Sequence, residues 1–128
     1  MENHMATTTP FLGPWRIVWM SNWDQDFVDM EVPGHFTFDA NRMGSFQFGL
    51  VQGEMDCRFE GKPPGRVEFT WQGNDECDEA SGRGHAEIVG GELHGHIHFH
   101  LGDDSEFRAV RQEVPRPKAP RKRKPAQA

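Results

Sequence analysis

The sequence predicts an all-β protein, an eight-stranded antiparallel up-and-down barrel with a short helix or irregular segment between strands 1 and 2. Fourteen Gly, nine Pro and ten Phe are spread over 128 residues, largely in short runs that alternate apolar and polar side chains. Side chains of a strand alternate between two faces, so each run has one apolar face. Eight runs suffice to close a barrel without exposed edges. The predicted strands are residues 11–20, 35–39, 44–51, 54–60, 66–72, 82–89, 92–101 and 105–111.

The segment between strands 1 and 2 contains signals for a short helix. Ser21 or Asn22 is a suitable N-cap residue, because a side-chain oxygen there accepts a hydrogen bond from the first helical turn. Such a helix would direct Trp23 and Phe27 inward. We therefore expect a short helix or an irregular segment between strands 1 and 2.

Turn residues define the register of the middle strands. A tight turn at Gln52-Gly53 would place Phe46 of strand 3 across from Phe59 of strand 4. The turn signal around Pro63-Pro64 then places Phe59 across from Val67 of strand 5. Both pairings keep apolar side chains on the inner face.

Gly90-Gly91 defines the register of strands 6 and 7. A two-residue hairpin turn needs positive φ, which glycine adopts without strain. The turn places Ile88 across from Leu93 on the apolar face and His85 across from His96 on the polar face. A slip of one residue would reverse both faces, so the agreement supports this register.

A loop at Gly102-Asp103-Asp104 joins strands 7 and 8 in the predicted barrel. It would place Phe99 across from Phe107, and Ile97 across from Ala109. The inward-facing set is thus rich in large rings, which favours a filled core or a small pocket. The residues predicted to line the interior or a ligand pocket are Trp15, Trp19, Phe36, Phe48, Trp71, Phe99 and Arg111.

Closure of the barrel would bring Arg111 of strand 8 beside Trp15 of strand 1, where its guanidinium can lie on the indole. Gly13-Pro14-Trp15 at the start of strand 1, covered by Arg111, resembles the calycin superfamily, the lipocalin and fatty-acid-binding-protein barrels. This resemblance implies a lipocalin-like fold. The chain is also similar to a group of small uncharacterised bacterial proteins, which implies no activity, in the runs Gly73-Asn74-Asp75-Glu76, Gly82-Arg83-Gly84 and Gly102-Asp103-Asp104-Ser105.

Charge and composition divide the chain into three parts: a disordered leader at residues 1–10, the barrel domain at 11–113 and a disordered basic tail at 114–128. Six of the 14 basic residues lie in the tail, which has no acidic residue. The remainder has eight basic against 20 acidic residues, a formal charge of −12. Cys57 on an inward face and Cys77 in a loop look like reduced thiols of a cytoplasmic protein. No apolar run approaches the roughly 20 residues of a membrane-spanning helix, so no membrane partner is expected.

Loops after strands 1, 3, 5 and 7 gather at one end of an up-and-down barrel, and here they are rich in carboxylates. Such an end has a negative field that would attract cations or a basic partner. A solvated rim, a divalent-cation site and a docking surface all remain open. We call this end the acidic pole, with predicted members Asp24, Asp26, Asp29, Glu31, Glu54, Asp75, Glu76, Asp78, Glu79, Asp103 and Asp104.

Histidines line the polar face of strand 7, where a metal site is one interpretation. Cross-strand Cβ atoms lie about 4.5–5.5 Å apart, close enough for two imidazoles to share a zinc ion. A solvated stripe and a pH-sensitive contact surface are the alternatives. The candidate ligands are His85, His96, Glu87 and His94.

The tail alternates Pro with basic residues and is not part of a core. It is either a solubilising terminus or an electrostatic arm for nucleic acid. The candidate phosphate contacts are Arg116, Lys118, Arg121, Lys122, Arg123 and Lys124.

The motif survey favours binding over catalysis. The sequence contains no nucleophile–base pair in a recognisable arrangement, no Gly-rich phosphate loop, no CxxC and no HExxH, and it predicts no catalytic residue and no cofactor. We expect a non-enzymatic binding module that engages a protein partner or a small apolar ligand at the acidic pole. The alternatives are a nucleic-acid-associated accessory protein that uses the tail, and a metal-dependent enzyme at the acidic mouth.

Overall fold

The computed structural model describes residues 9–112, and these form a closed antiparallel barrel whose eight strands follow their order in the sequence. The predicted all-β, up-and-down architecture is confirmed. A short helix, α1 (Gln25–Val28), joins the first two strands, as predicted. The strands are β1 (Gly13–Met20), β2 (His35–Phe38), β3 (Met43–Phe48), β4 (Val51–Glu60), β5 (Arg66–Asp75), β6 (Asp78–Val89), β7 (Glu92–Phe99) and β8 (Asp104–Arg111).

Most of the predicted leader (residues 1–8) and the whole predicted tail (within 113–128) lie outside the described residues. The last leader residues form a one-turn 3-10 helix that ends at Phe11, so β1 begins two residues later than predicted. Phe11 is fully buried, and its ring centroid lies 5.9 Å from that of Phe38. Its side chain therefore closes the end of the barrel opposite the acidic pole. Residues 9–112 include no helix with the length and apolarity needed to cross a bilayer.

Two of the predicted registers are confirmed. In β6 and β7, Ile88 pairs with Leu93 across the Gly90-Gly91 turn, and every pair along this hairpin follows. In β4 and β5, Phe59 pairs with Val67. In both hairpins the turn residues alone defined the pairing.

Two other registers differ from the prediction by an even number of residues. Phe46 lies across from Gly53 rather than Phe59, because β3 turns into β4 at Gly49-Leu50, where Gly49 has a φ of +58°. Phe107 lies across from Gly95 rather than Phe99, because the β7–β8 loop is centred on Leu101 instead of Asp103. An even shift keeps each side chain on its predicted face, so the inside and outside of these strands are unchanged.

One predicted interior residue, Trp19, lies on the outside. β1 contains an irregularity between Ile17 and Trp19 in its pairing with β8, and an extra residue there reverses the alternation of faces. Trp19 is consequently 41% exposed, whereas Met20 takes the inward position. The Arg108 guanidinium lies 5.5 Å from the centre of the Trp19 ring on the outer surface.

Large rings fit inside this barrel because several of them lie across from glycines. A Cβ atom added to Gly53 would lie 2.5 Å from Cζ of Phe46, so the ring occupies the space that a side chain at residue 53 would need. Rings packed over glycines also let the sheet curl tightly. The cross-strand ring–glycine pairs are Phe46 with Gly53, Phe69 with Gly84, Trp71 with Gly82, and Phe107 with Gly95.

The centre of the barrel is filled by aromatic side chains. Phe36 and Phe107 stack with ring centroids 4.3 Å apart, and Phe46 meets Trp71 edge to face at 5.1 Å. The predicted interior residues Trp15, Phe36, Phe48 and Trp71 are buried. Phe99 is partly buried against this core, near the acidic pole. The room for a ligand must therefore be sought at the ends of the barrel or on its surface.

Candidate functional site

Helix α1 lies over the acidic pole and is held there by side-chain carboxylates. Asp24 caps it, because its Oδ1 accepts a hydrogen bond from the Phe27 amide at 3.0 Å. Asp29 follows the helix and accepts hydrogen bonds from the Gly34 amide at 2.8 Å and from Arg16 at 3.1 Å. These contacts tie the helix to β1 and to the segment that enters β2.

The environment of Asp29 favours its ionised form. Partial burial raises the pKa of this carboxyl, but the hydrogen bonds from Gly34 and Gln25 and the charge of Arg16 lower it by more. The net effect is a pKa below the ordinary value for aspartate. Asp29 therefore acts as a structural anchor of the acidic pole.

A pair of serines fixes the start of the connection to α1. Ser105 is 1% exposed, and its hydroxyl accepts a hydrogen bond from the Asn22 amide at 3.0 Å. Ser21 Oγ in turn accepts from the Glu106 amide at 2.9 Å. Because both hydroxyls join β1 to β8, they place the next residue, Trp23, over the mouth of the barrel.

Trp23 covers the mouth with its ring. Its centroid lies 5.2 Å from that of Phe48, 6.0 Å from that of Phe99 and 6.1 Å from that of Phe27. A Cβ atom on Gly49 would collide with the Phe27 ring, so α1 packs directly on the β3–β4 turn. Together these rings form an apolar wall that reaches the surface.

A cleft of about 370 Å³ opens beside this wall. The volume falls within the range of about 300–1,000 Å³ that is typical of small-molecule sites. Its floor is apolar and its rim carries carboxylates, so it can receive a molecule with an apolar part and a positive charge. The cleft is lined by Trp23, Phe27, Val51, Asp75, Asp78, Glu79, Ala80, Ser81, Phe99, His100, Gly102 and Asp103.

The observed turns bring most of the predicted acidic residues to this end. The β5–β6 turn is at Glu76-Cys77, and the Glu76 amide donates a hydrogen bond to the Leu50 carbonyl of the neighbouring turn at 3.0 Å. Glu54 is an exception, because the corrected register places it within β4, across from Gln72 on the outer face. Asp104 is another, since its side chain contacts two histidines of β7.

The histidine face of β7 lies outside the barrel, as predicted, but its contacts divide the predicted ligand set. His85 and His96 are cross-strand partners with ring centroids 6.1 Å apart. His94 pairs with Glu92 at 3.1 Å, and Glu87 lies 3.5 Å from Arg66. Because His94 and Glu87 are engaged with Glu92 and Arg66, the four side chains do not converge on one point.

A different group of donors does converge on this face. His96, His98 and Asp104 each offer a ligand atom, and these atoms lie within 4.8 Å of one another. Partial burial, then the charges of His96 and Arg83, lower the pKa of His98 despite the opposing effect of Asp104. His98 therefore favours the neutral form, in which an imidazole nitrogen can bind a metal.

The sequence reasoning missed two features of these sites. Val51 belongs to the cleft because the turn precedes it, whereas the prediction placed it at the end of strand 3. Asp104 reaches His98 because the loop is centred on Leu101. The nucleic-acid candidates in the tail lie outside the described residues, so that function stays a prediction. No protein-family model, curated protein or solved structure matches this chain.

Proposed function

We propose that this protein is a non-enzymatic binding module with a calycin-like barrel, which takes up a small apolar ligand with a positive charge at its acidic pole. The observation that carries the proposal is the cleft of about 370 Å³ where aromatic rings lie beside a rim of carboxylates. Removal of the apolar part from water against these rings would contribute roughly 25 cal/mol per Å² of buried surface. The rim would attract the positive charge and orient the molecule.

The calycin part of the proposal has independent support. Trp15 pairs with Arg111 across the junction of β1 and β8, and the Arg111 guanidinium lies 4.0 Å from the centre of the indole. Calycin barrels have a similar arrangement, in which a basic residue of the last strand lies over a Trp of the first. Unlike a lipocalin with a roomy interior, this barrel has its centre filled by rings, which favours binding at the mouth.

The test is a calorimetric titration of the full-length chain with decyltrimethylammonium, kept below its micelle-forming concentration. Decyl sulfate is the matched anion with the same apolar chain. We expect the cation to bind, with a change in Trp fluorescence that is lost in Trp23→Phe, and the anion to bind far more weakly. Binding of neither compound, or equal binding of both, would contradict the proposal.

Charge variants then locate the binding site. The substitutions Asp75→Asn, Asp78→Asn and Asp103→Asn together should weaken binding of the cation about tenfold, since each removes a fraction of a kcal/mol of attraction. A control with the same loss of charge, at exposed residues away from the pole, combines Asp39→Asn, Asp56→Asn and Glu60→Gln. If both triple variants weaken binding equally, the ligand does not lie at the acidic pole.

A further inference from the structure

Three side chains of types that bind metal ions come together on the outer face of β7 and β8. His96 and His98 are two residues apart on β7 and therefore project from the same face. Their rings stack with centroids 4.5 Å apart and an interplanar angle of 19°. Asp104, the first residue of β8, pairs directly with His98 across the strands.

Two of the three distances between the donor atoms match those of a tetrahedral metal site, and the third, between the two histidines, is at most 4.8 Å. Asp104 Oδ2 lies 3.4 Å from His96 Nε2 and also 3.4 Å from His98 Nδ1. Zinc binds nitrogen and oxygen at about 2.0–2.2 Å, so two ligands of a tetrahedral site lie about 3.3–3.6 Å apart. Two edges of the tetrahedron thus already have the right length, and rotation of one of the stacked rings would direct both imidazole lone pairs at the ion.

His96 Nε2 has an unmet requirement for a partner. This nitrogen is buried and makes no hydrogen bond, although Asp104 Oδ2 lies 3.4 Å away. Buried polar atoms in folded proteins nearly always have a partner, and an exception calls for an explanation such as a bound water or ion. A metal ion bound between the three donors would supply that partner.

The site is open to solvent on its Asp104 side, because this side chain is 56% exposed. His98 also lines a groove of about 960 Å³ on the outer surface. Besides Asp104, the charged residues directly across from the two histidines are Arg83, across from His98, and Glu106, across from His96. They are opposite in sign, so Asp104 contributes the net negative charge that a cation would meet.

We propose that His96 Nε2, His98 Nδ1 and Asp104 Oδ2 bind a divalent transition-metal ion of the zinc class, with water as the fourth ligand. Two imidazoles and one carboxylate suit zinc and its neighbours rather than calcium or magnesium, which prefer oxygen ligands. This site is separate from the cleft at the acidic pole, and its existence does not depend on the function proposed there.

The experiment is a titration of the full-length, tag-free chain with Zn²⁺ in competition with a chromophoric chelator. We expect one ion per chain with a dissociation constant in the micromolar range or below. Co²⁺ in place of Zn²⁺ should give the intense visible absorption of a tetrahedral site. Binding weaker than about 100 µM, or a Co²⁺ spectrum of purely octahedral type, would overturn the proposal.

Variants identify the ligands. His96→Gln, His98→Gln and Asp104→Asn should each weaken Zn²⁺ binding at least about tenfold. Removal of a residue that merely hydrogen-bonds to a metal ligand already causes a loss of this size, and these residues are the ligands themselves. His94→Gln is the matched control, since it lies on the same face but contacts Glu92. Circular dichroism of each metal-free variant verifies the fold. If His94→Gln weakens binding as much as His96→Gln, or if Asp104→Asn binds normally, this set of ligands is wrong.

Discussion

Arg111 lies over the indole of Trp15 and closes the barrel where its first and last strands meet. The guanidinium is 4.0 Å from the ring centre, and its two terminal nitrogens donate hydrogen bonds to the carbonyls of Leu12 and Pro10. The Nε1–H group of Trp15 in turn donates a hydrogen bond to the Phe11 carbonyl at 2.9 Å. The two side chains therefore hold the segment before β1 against the end of β8.

Arg111→Gln should lower the free energy of unfolding by about 1–2 kcal/mol, since it removes a cation–π contact and two hydrogen bonds from a charged donor. Urea denaturation monitored by Trp fluorescence measures the change. Arg108→Gln is the matched control, because its guanidinium lies 5.5 Å from the exposed ring of Trp19. Its effect should stay below about 0.5 kcal/mol. Equal losses in the two variants would contradict a special role for Arg111.

Gly53→Ala should destabilise the barrel by about 1–3 kcal/mol, because the added methyl group would collide with the Phe46 ring. Phe46→Leu removes the ring and leaves a cavity, at a comparable loss. In the double variant the methyl group occupies part of that cavity, so its loss should be smaller than the two single losses combined. The three unfolding curves provide this double-mutant cycle. Additive losses would show that the ring and the glycine do not share one space.

Asp29→Asn should destabilise the protein by about 1 kcal/mol at pH 7, where the native carboxylate accepts charge-assisted hydrogen bonds. Because the folded pKa of Asp29 is below its unfolded value of about 3.9, the stabilisation is complete above that value and is lost as the pH falls through the folded pKa. The difference between wild type and variant should thus shrink below about pH 4. Asp26→Asn, which removes an exposed carboxylate of the same helix, is the control and should cost less than about 0.5 kcal/mol at pH 7.

The two thiols should react at very different rates with a disulfide reagent such as Ellman's reagent. Cys77 is exposed, whereas Cys57 is buried inside the barrel, and burial raises the pKa of Cys57 to about 12, helped by the charges of Asp56 and Asp39. We expect one thiol to react quickly in the folded protein and the second only on unfolding. In Cys77→Ser the fast reaction should be absent. Rapid reaction of two thiols in native protein would show that the barrel opens readily.

The sequence predicted pairing correctly where the predicted turn is the observed one. Gly90-Gly91 and Pro63-Pro64 each fix the hairpin around them, and the pairs Ile88–Leu93 and Phe59–Val67 follow. Strand faces were also predictable, because alternation survives an even shift. The same two rules sufficed for the eight-strand count and for the outward direction of the histidines.

The errors have two physical causes. Two registers were wrong because the β3–β4 turn lies at Gly49-Leu50 rather than Gln52-Gly53, and the β7–β8 loop is centred on Leu101 rather than Asp103. With the observed turns, Phe46 and Phe107 lie across from glycines. Trp19 was misplaced because the irregularity in β1 depends on contacts with β8 and with the side chain of Gln25, which donates to the Ile17 carbonyl at 3.0 Å. The irregularity in β1 arises from tertiary packing and has no local signature in the sequence.

Because β1 and β8 pair with each other, the chain could be circularly permuted without a change in strand pairing. The Gln112 amide donates a hydrogen bond to the Pro14 carbonyl at 3.1 Å, so the start of β1 and the end of β8 lie side by side. A short linker between them, with new termini opened at the exposed Gly90-Gly91 turn, would leave every strand beside its present neighbours. Such circular permutants are tolerated at exposed turns of this kind. The barrel is therefore a closed ring of hairpins, and its architecture does not depend on which strand comes first in the chain.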